Sequence, residues 1–193
     1  MGSDPDGMPC QVSPGERLNV FALVIYIPDP LGRFLDDLRR EVVPHCNPRA
    51  HVSVLPPRPL AVDWSAATTQ VRALTDGCAP FEVEVRDVRV FPVTDVVYLG
   101  IGDGFSTLDR MHSSMNRGTL EFREPFSYHP HITLAQEIPH EDVASVQELA
   151  CRRWAEYRGR RGFRAERAVF VQNTVQNCWI DLAAFSLGEV TVR

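Results

Sequence analysis

Two five-residue segments hold the side chains whose types and spacing could do chemistry: His51-Val52-Ser53-Val54-Leu55 and His131-Ile132-Thr133-Leu134-Ala135. Each reads histidine, β-branched residue, hydroxyl residue, aliphatic, aliphatic, and the second begins 80 residues after the first. Alternate residues of a strand share a face. His51 with Ser53, and His131 with Thr133, would therefore stand on one side while the aliphatic residues bury on the other. Two such strands brought together would offer two imidazoles and two hydroxyls to one ligand. Hydroxyls hold the nonbridging oxygens of a phosphate, one imidazole takes a proton from a nucleophile, and the other gives a proton to the leaving oxygen. A single His-x-Ser or His-x-Thr is commonplace, and a lone strand histidine is more often a hydrogen-bonded structural residue. The matched pair carries the reading, because it is what a duplicated half-domain would show.

Other residues are weaker candidates. Arg58 follows the first motif and could meet a phosphate, with Arg49 and Arg89 behind it, although surface charge is the plainer reading of each. Phe91 and Tyr26 could stack on a base, against core packing as the alternative. His129-Pro130-His131 could place two imidazoles on a metal, but no third ligand stands at a motif-like distance, so no metal is expected. Gly100-Ile101-Gly102-Asp103-Gly104 lacks the third glycine of a phosphate loop, where Phe105 stands, and reads as a turn. His45, His112 and His140 fall in helix or loop settings and read as surface residues.

Composition removes whole classes of mechanism. The 193 residues include no lysine, so all 20 basic residues are arginine, and Schiff-base, Walker A and lysine-adenylate chemistries are excluded. Set against 25 acidic residues they leave a net charge of −5, which speaks against a surface coated with nucleic acid. The five cysteines (Cys10, Cys46, Cys78, Cys151, Cys178) are odd in number, widely spaced and free of C-x-x-C, so neither a disulfide framework nor a zinc knuckle is expected and a reducing cytoplasm fits. Residues 1–17 are polar and read as a flexible leader without the apolar stretch of a signal peptide. The longest apolar run, Val20 to Ile27, is too short to span a bilayer, and no membrane partner is expected.

The elements that must position the histidines follow from periodicity. Asn19 to Ile27 is apolar on both faces, as a central strand would be. Leu31, Phe34, Leu35, Leu38 and Val42 keep helical spacing after Asp29-Pro30, and Pro44 would end that helix. A strand over Ala50 to Leu55 should enter a Pro56-Pro57-Arg58-Pro59 loop, and a helix should start at the Asp63 cap with Trp64, Ala67, Val71 and Leu74 inward. Phe81 to Val85 alternates and slips phase near Asp87, which predicts a bulge, and a strand over Val96 to Ile101 follows a turn. A helix near Phe105 to Arg117 should stop at Gly118. The second motif strand, a helix from about His140 to Tyr157, and strands near Ala168 to Gln172 and Cys178 to Leu182 complete the chain. The Arg-rich stretch from Arg152 to Arg167 reads as a solvated helix end and loop. This mixed order predicts an α+β fold with antiparallel sheets rather than a doubly wound parallel one.

The paired H-x-[S/T]-aliphatic motifs, Pro130 before the second histidine and the helix order over Phe21 to Leu187 resemble the two-histidine phosphoesterase superfamily, in the branch of 2′-5′ RNA ligase and RNA 2′,3′-cyclic phosphodiesterase. The resemblance implies a bilobal domain over residues 18–193, with two antiparallel sheets related by a pseudo-twofold, helices outside and the active-site cleft between them. It implies a metal-independent phosphodiesterase without cofactors, acting on a 2′,3′-cyclic phosphate at an RNA end or on a small cyclic nucleotide, with reverse 2′-5′ ligation as a companion activity. His131 would be the base, His51 the proton donor, and Ser53 and Thr133 the phosphate holders, although sequence alone leaves the two histidine roles interchangeable. A monomer is expected. Two rivals stand beside this reading: a noncatalytic nucleotide- or RNA-binding module with the same cleft, and a metal-dependent hydrolase built on His129 and His131.

Overall fold

The structure, a computed structural model, describes residues 16–43 and 49–188. The leader, His45 and Pro44 expectations fall mainly or wholly outside these residues. The chain forms β1 (Arg17–Tyr26), α1 (Leu31–Val42), β2 (His51–Arg58), α2 (Trp64–Asp76), β3 (Phe81–Val90) and β4 (Val97–Ile101). It continues through α3 (Phe105–Met115), β5 (His131–Ala135), α4 (Val143–Glu156), β6 (Gly162–Ala165), β7 (Arg167–Thr174) and β8 (Ile180–Ser186). Single 3₁₀ turns at Gly118–Leu120 and His140–Asp142 flank α3 and α4.

All strand pairs are antiparallel and fall into two four-stranded sheets, ordered β2-β1-β7-β8 and β5-β4-β3-β6. In each, a motif strand lies at the edge beside the strand that precedes it across a helix, β2 beside β1 and β5 beside β4. The third strand of each sheet comes from the other half of the chain: β3 follows the first motif but joins the sheet of the second, and β7 follows the second but joins the sheet of the first. The helices cross over in the same way. α2 and α3 pack on β8 and β2, whereas α1 and α4 pack on β5, β3 and β4. One continuous core results, running from Leu23, Ile25, Val52 and Val54 through Leu99, Ile132 and Leu134 to Leu35 and Trp154. The α+β architecture with antiparallel sheets is the one the element order implied.

Local chemistry explains most boundaries. Asp63 caps α2 by accepting from the Ser65 backbone N–H at 2.9 Å. Asp29 accepts from the Arg33 N–H at 3.0 Å in the first turn of α1. Gly104, at φ 90°, turns the chain into α3, and a Cβ there would lie 2.6 Å from the Glu82 carbonyl oxygen, so the glycine segment is a turn packed on β3. The expected phase slip appears as a register shift between Val85 and Val88.

Four sequence expectations are corrected. β2 runs through Pro56 and Pro57 to Arg58 instead of ending at Leu55, because an edge strand tolerates residues that cannot donate to a ladder. The Arg-rich stretch contains β6, a second edge strand in which Phe163 and Ala165 bury while Arg164 faces out. Gly118, at φ 57°, opens a 3₁₀ turn rather than simply ending α3. Cys78 and Cys151 are free, but Cys178 is disulfide-bonded. Wide spacing hid that bond, since the fold and not the spacing decides which cysteines meet. Cysteine usage therefore no longer argues for a reducing compartment. Among the described residues no helix is long and apolar enough to cross a membrane.

Candidate active site

The register of β2 on β1 pairs Tyr26 with His51 and Val24 with Ser53, so these four side chains share one face of the first sheet. Ala22, Val169 and Val171 extend that face as an apolar floor, against which Tyr26 and Trp179 pack. Along β2, His51 and Ser53 are half-buried while Val52 and Val54 are fully buried in the core. The His51 Nδ1–H donates to the carbonyl of Arg49, 2.7 Å away. That bond fixes the tautomer and leaves Nε2 as the nitrogen that can exchange a proton with a ligand.

The second motif repeats the burial pattern and the imidazole hydrogen bond of the first. On β4 and β5, Gly100 pairs with His131 and Tyr98 with Thr133. The burial of His131 to Ala135 follows that of His51 to Leu55 position by position, with histidine and hydroxyl half-buried and the aliphatics enclosed. The His131 Nδ1–H donates to the carbonyl of His129 at 2.6 Å, again two residues upstream. Gly100 leaves space beside His131 where any other residue would project a side chain. Neither Nε2 nor either motif hydroxyl is hydrogen-bonded among the described residues.

The two motif strands lie side by side where the sheets meet. Burial pushes the His51 imidazole down to about 4, and the charges of Arg39, His131 and Arg49 lower it further against the raising effect of its carbonyl acceptor. His131 is also lowered, first by burial and then by the charge of His129. The His131 charge is one of the lesser influences that lower His51, as expected for rings on neighbouring strands. Both are neutral at pH 7 in the ligand-free protein, and an anion between them would favour their protonation.

Each ring has its own surroundings. Beside His51, Tyr26 presents its ring edge-on at 6.3 Å and donates its hydroxyl to Asp181 at 2.6 Å. Arg49 lies over the Tyr26 ring at 3.4 Å and reaches the other Asp181 oxygen at 2.8 Å. Beside His131, Phe91 and Tyr98 stack at 3.9 Å and meet the imidazole edge-on at 5.0 and 5.4 Å. Tyr26 and Phe91 thus flank one histidine each. Tyr98 and Asp181 were missed, and only the β4–β5 and β7–β8 registers place them here.

Arg58 is not brought to the histidines. Its side chain is 1% exposed, and its donors go to the Pro56 and Leu120 carbonyls, Asn116 and Glu124. The weaker arginine candidates are the ones on the site faces: Arg49 as described, and Arg89 paired with Tyr98, close enough for its charge to lower His129. His112 is a further correction, buried instead of exposed, because α3 turns it toward Glu124, which it meets at 2.9 Å. His140 is exposed as expected and pairs with Asp95. No three metal-ligating side chains converge among the described residues, so His129 and His131 lack a third protein ligand there.

Two interleaved antiparallel sheets, each presenting a His-x-hydroxyl strand at the edge where they meet, have the architecture of the two-histidine phosphoesterase superfamily. The sequence pattern of the 2′-5′ RNA ligase superfamily matches residues 27–177, and the chain belongs to that family. Among related sequences, a protein of Oceanobacillus iheyensis named as a phosphoesterase is 24% identical over 83 residues, 42% of this chain and 48% of its own length. One of Geobacillus kaustophilus, also named as a phosphoesterase, is 20% identical over 135 residues, 65% of this chain and 74% of its own. The chain thus spans about half the length of the Oceanobacillus relative and about three quarters of the Geobacillus one. The fold is similar to that of Escherichia coli LigT complexed with NADP+, at TM-score 0.61 and 14% identity over 90% of this chain and 99% of that one. It is also similar to TT0787 of Thermus thermophilus, at TM-score 0.62 and 16% identity over 88% and 98%. Kluyveromyces marxianus Usb1, solved with uridine monophosphate, is more distant at TM-score 0.50 and 16% identity over 85% and 97%.

Proposed function

We propose that this phosphoesterase opens 2′,3′-cyclic phosphates, at RNA ends or on small cyclic nucleotides, by acid–base catalysis between His51 and His131. The observation that carries the proposal is the duplicate geometry of the two motifs: the same burial and the same Nδ1–H to carbonyl bond, on two strands that lie side by side. Ser53 and Thr133 hold the nonbridging phosphate oxygens. A water attacks phosphorus as the Nε2 of neutral His131 takes its proton; the bond from phosphorus to one ribose oxygen breaks, and protonated His51 delivers its proton to that oxygen. The product is a ribose monophosphate and a free hydroxyl, with the proton transferred in effect from one ring to the other. His51 is strongly depressed in the ligand-free protein, so as donor it relies on the anionic substrate to restore its proton. With a 5′-hydroxyl as the nucleophile in place of water, the same displacement joins RNA ends without ATP: His131 takes the hydroxyl proton, the P–O bond to one ribose oxygen breaks, and His51 protonates that oxygen, in keeping with a chain that has no lysine to carry AMP. Tyr26 or the Phe91–Tyr98 stack offers a face for the base, and Arg49 and Arg89 offer charge for further phosphate.

The experiment is a hydrolysis screen over 2′,3′-cyclic nucleotides, RNA ends bearing a cyclic phosphate, ADP-ribose cyclic phosphate and 2′-5′ dinucleotides, with and without EDTA on metal-stripped protein. Ring opening unaffected by EDTA is the expected result. Binding without turnover would instead establish a nucleotide-binding module, and activity lost on chelation and restored by zinc or manganese would move the chemistry to His129 with His131.

A further inference from the structure

β2 and β5 are edge strands of different sheets, so no backbone ladder sets the distance between His51 and His131. A side chain crosses that gap. Tyr128, three residues before His131, donates its hydroxyl to the carbonyl of Ser53 at 2.8 Å. Its ring lies flat on His112, with centroids 3.9 Å apart and planes 2° from parallel. His112 Nε2 donates to Glu124 at 2.9 Å, and the same carboxylate oxygen receives Arg58 at 2.5 Å. Arg58 is the last residue of β2, the strand on which the path began. The chain of contacts therefore closes on itself: Ser53, Tyr128, His112, Glu124, Arg58 and back along β2.

We propose that Tyr128 is a positioning residue that clamps the two motif strands at their working separation, with the buried His112–Glu124–Arg58 network holding its ring in place. The inference rests on the function proposed above and adds to it the part that sets the spacing of the acid and the base. The anchor is apt, because the carbonyl that Tyr128 grips belongs to Ser53, whose hydroxyl is the first motif's phosphate holder. Every member is enclosed enough to be rigid: the Arg58 side chain is 1% exposed, and those of His112 and Glu124 are 11% exposed. Burial, with the carboxylates of Glu124 and Asp109, raises the Tyr128 phenol well above its ordinary range, so the hydroxyl stays a donor at any working pH. Arg58, expected from sequence to hold phosphate, belongs to this brace.

The test removes one atom. Tyr128→Phe keeps the ring on His112 and deletes the bond to Ser53. The groups whose charges act on the two imidazoles are Arg39, Arg49 and His131 around His51, and His129 around His131. NMR titration of both imidazoles needs no substrate, so it reads the clamp even if the cyclic-phosphate reading fails. Relaxed spacing should weaken the pull of the His131 charge and let the His51 titration move up toward its ordinary value. If the wild type turns over a cyclic phosphate, kcat of the variant should fall about tenfold or more with KM little changed, as misplacement of a catalytic pair would have it. His112→Gln keeps a donor toward Glu124 and removes the ring beneath Tyr128; it should move the His51 titration in the same direction, and it carries the test if Tyr128→Phe does not fold. A folded variant whose His51 and His131 titrate as in the wild type overturns the proposal, whatever its turnover.

Discussion

At the residue scale, the two histidines gain their character from neighbours that cost the chain little: a carbonyl two positions back for Nδ1 and a half-buried place at a strand edge. The hydroxyls have a narrower task. Ser53→Ala and Thr133→Ala should each raise KM for a cyclic nucleotide and lower kcat less than loss of either histidine does, because a phosphate oxygen loses one donor of several; steady-state kinetics at saturating and limiting substrate separates the two effects. The pH profile follows from the depressed imidazoles. The proposed mechanism needs one ring neutral and the other protonated, and burial lowers both below the ordinary 6.5. The kcat/KM profile, which reports the free protein, should therefore be a bell with its maximum below pH 6.5, falling on the acid side as the base protonates and on the alkaline side as the donor loses its proton. Bound phosphate raises both values, so the kcat maximum should lie at higher pH than that of kcat/KM. Coincident maxima would show that the substrate's charge does not restore the donor's proton.

At the element scale, β2 does two jobs with its two ends. His51 and Ser53 face the site, and seven residues from His51 the buried Arg58 ties the strand to the segment that leads into β5. Arg58→Met should cost about 3–5 kcal/mol in urea unfolding, the scale of leaving a buried partner, here Glu124, without its guanidinium; a loss under 1 kcal/mol would mean that His112 alone satisfies the carboxylate. Much of this level was legible in the sequence. The Asp63 cap, the helical spacing of Leu31 to Val42, the slip near Asp87 and both motif strands are local signals, and each appears where the residues put it. What could not be read was decided across the fold. Pro56-Pro57 looks like a loop until its strand is known to be an edge, β6 is hidden among arginines because an edge strand four residues long needs only Phe163 and Ala165 to bury, and Arg58 and His112 are polar residues whose burial depends on meeting Glu124. The candidate site was legible for a related reason: a period-2 pattern duplicated 80 residues apart encodes its own face, whereas Tyr98, Asp181 and Tyr128 reach it only through pairings that sequence spacing does not express.

At the scale of the whole molecule, the exchange of third strands and covering helices makes the two halves interdependent. Neither sheet is complete without the other half of the chain, so the lobes should unfold as one unit. Trp154 sits on the β3–β4–β5 sheet through α4, and Trp179 packs on the apolar floor of the other. Urea transitions followed by fluorescence in variants whose sole tryptophan is Trp154 or Trp179, with Trp64 replaced in both, should coincide with each other and with far-UV circular dichroism; separate midpoints would reveal lobes that fold independently. The same exchange fixes the meeting line of the sheets on which His51 and His131 stand, so the architecture serves the proposed chemistry directly. The most direct test of that chemistry is kcat for hydrolysis of a 2′,3′-cyclic phosphate by His51→Ala and His131→Ala, each first shown to be folded by its unfolding transition. Each variant should lose roughly 10²-fold or more, the scale of a missing general acid or base; a folded variant of either kind that turns over near the wild-type rate would contradict the two-imidazole account.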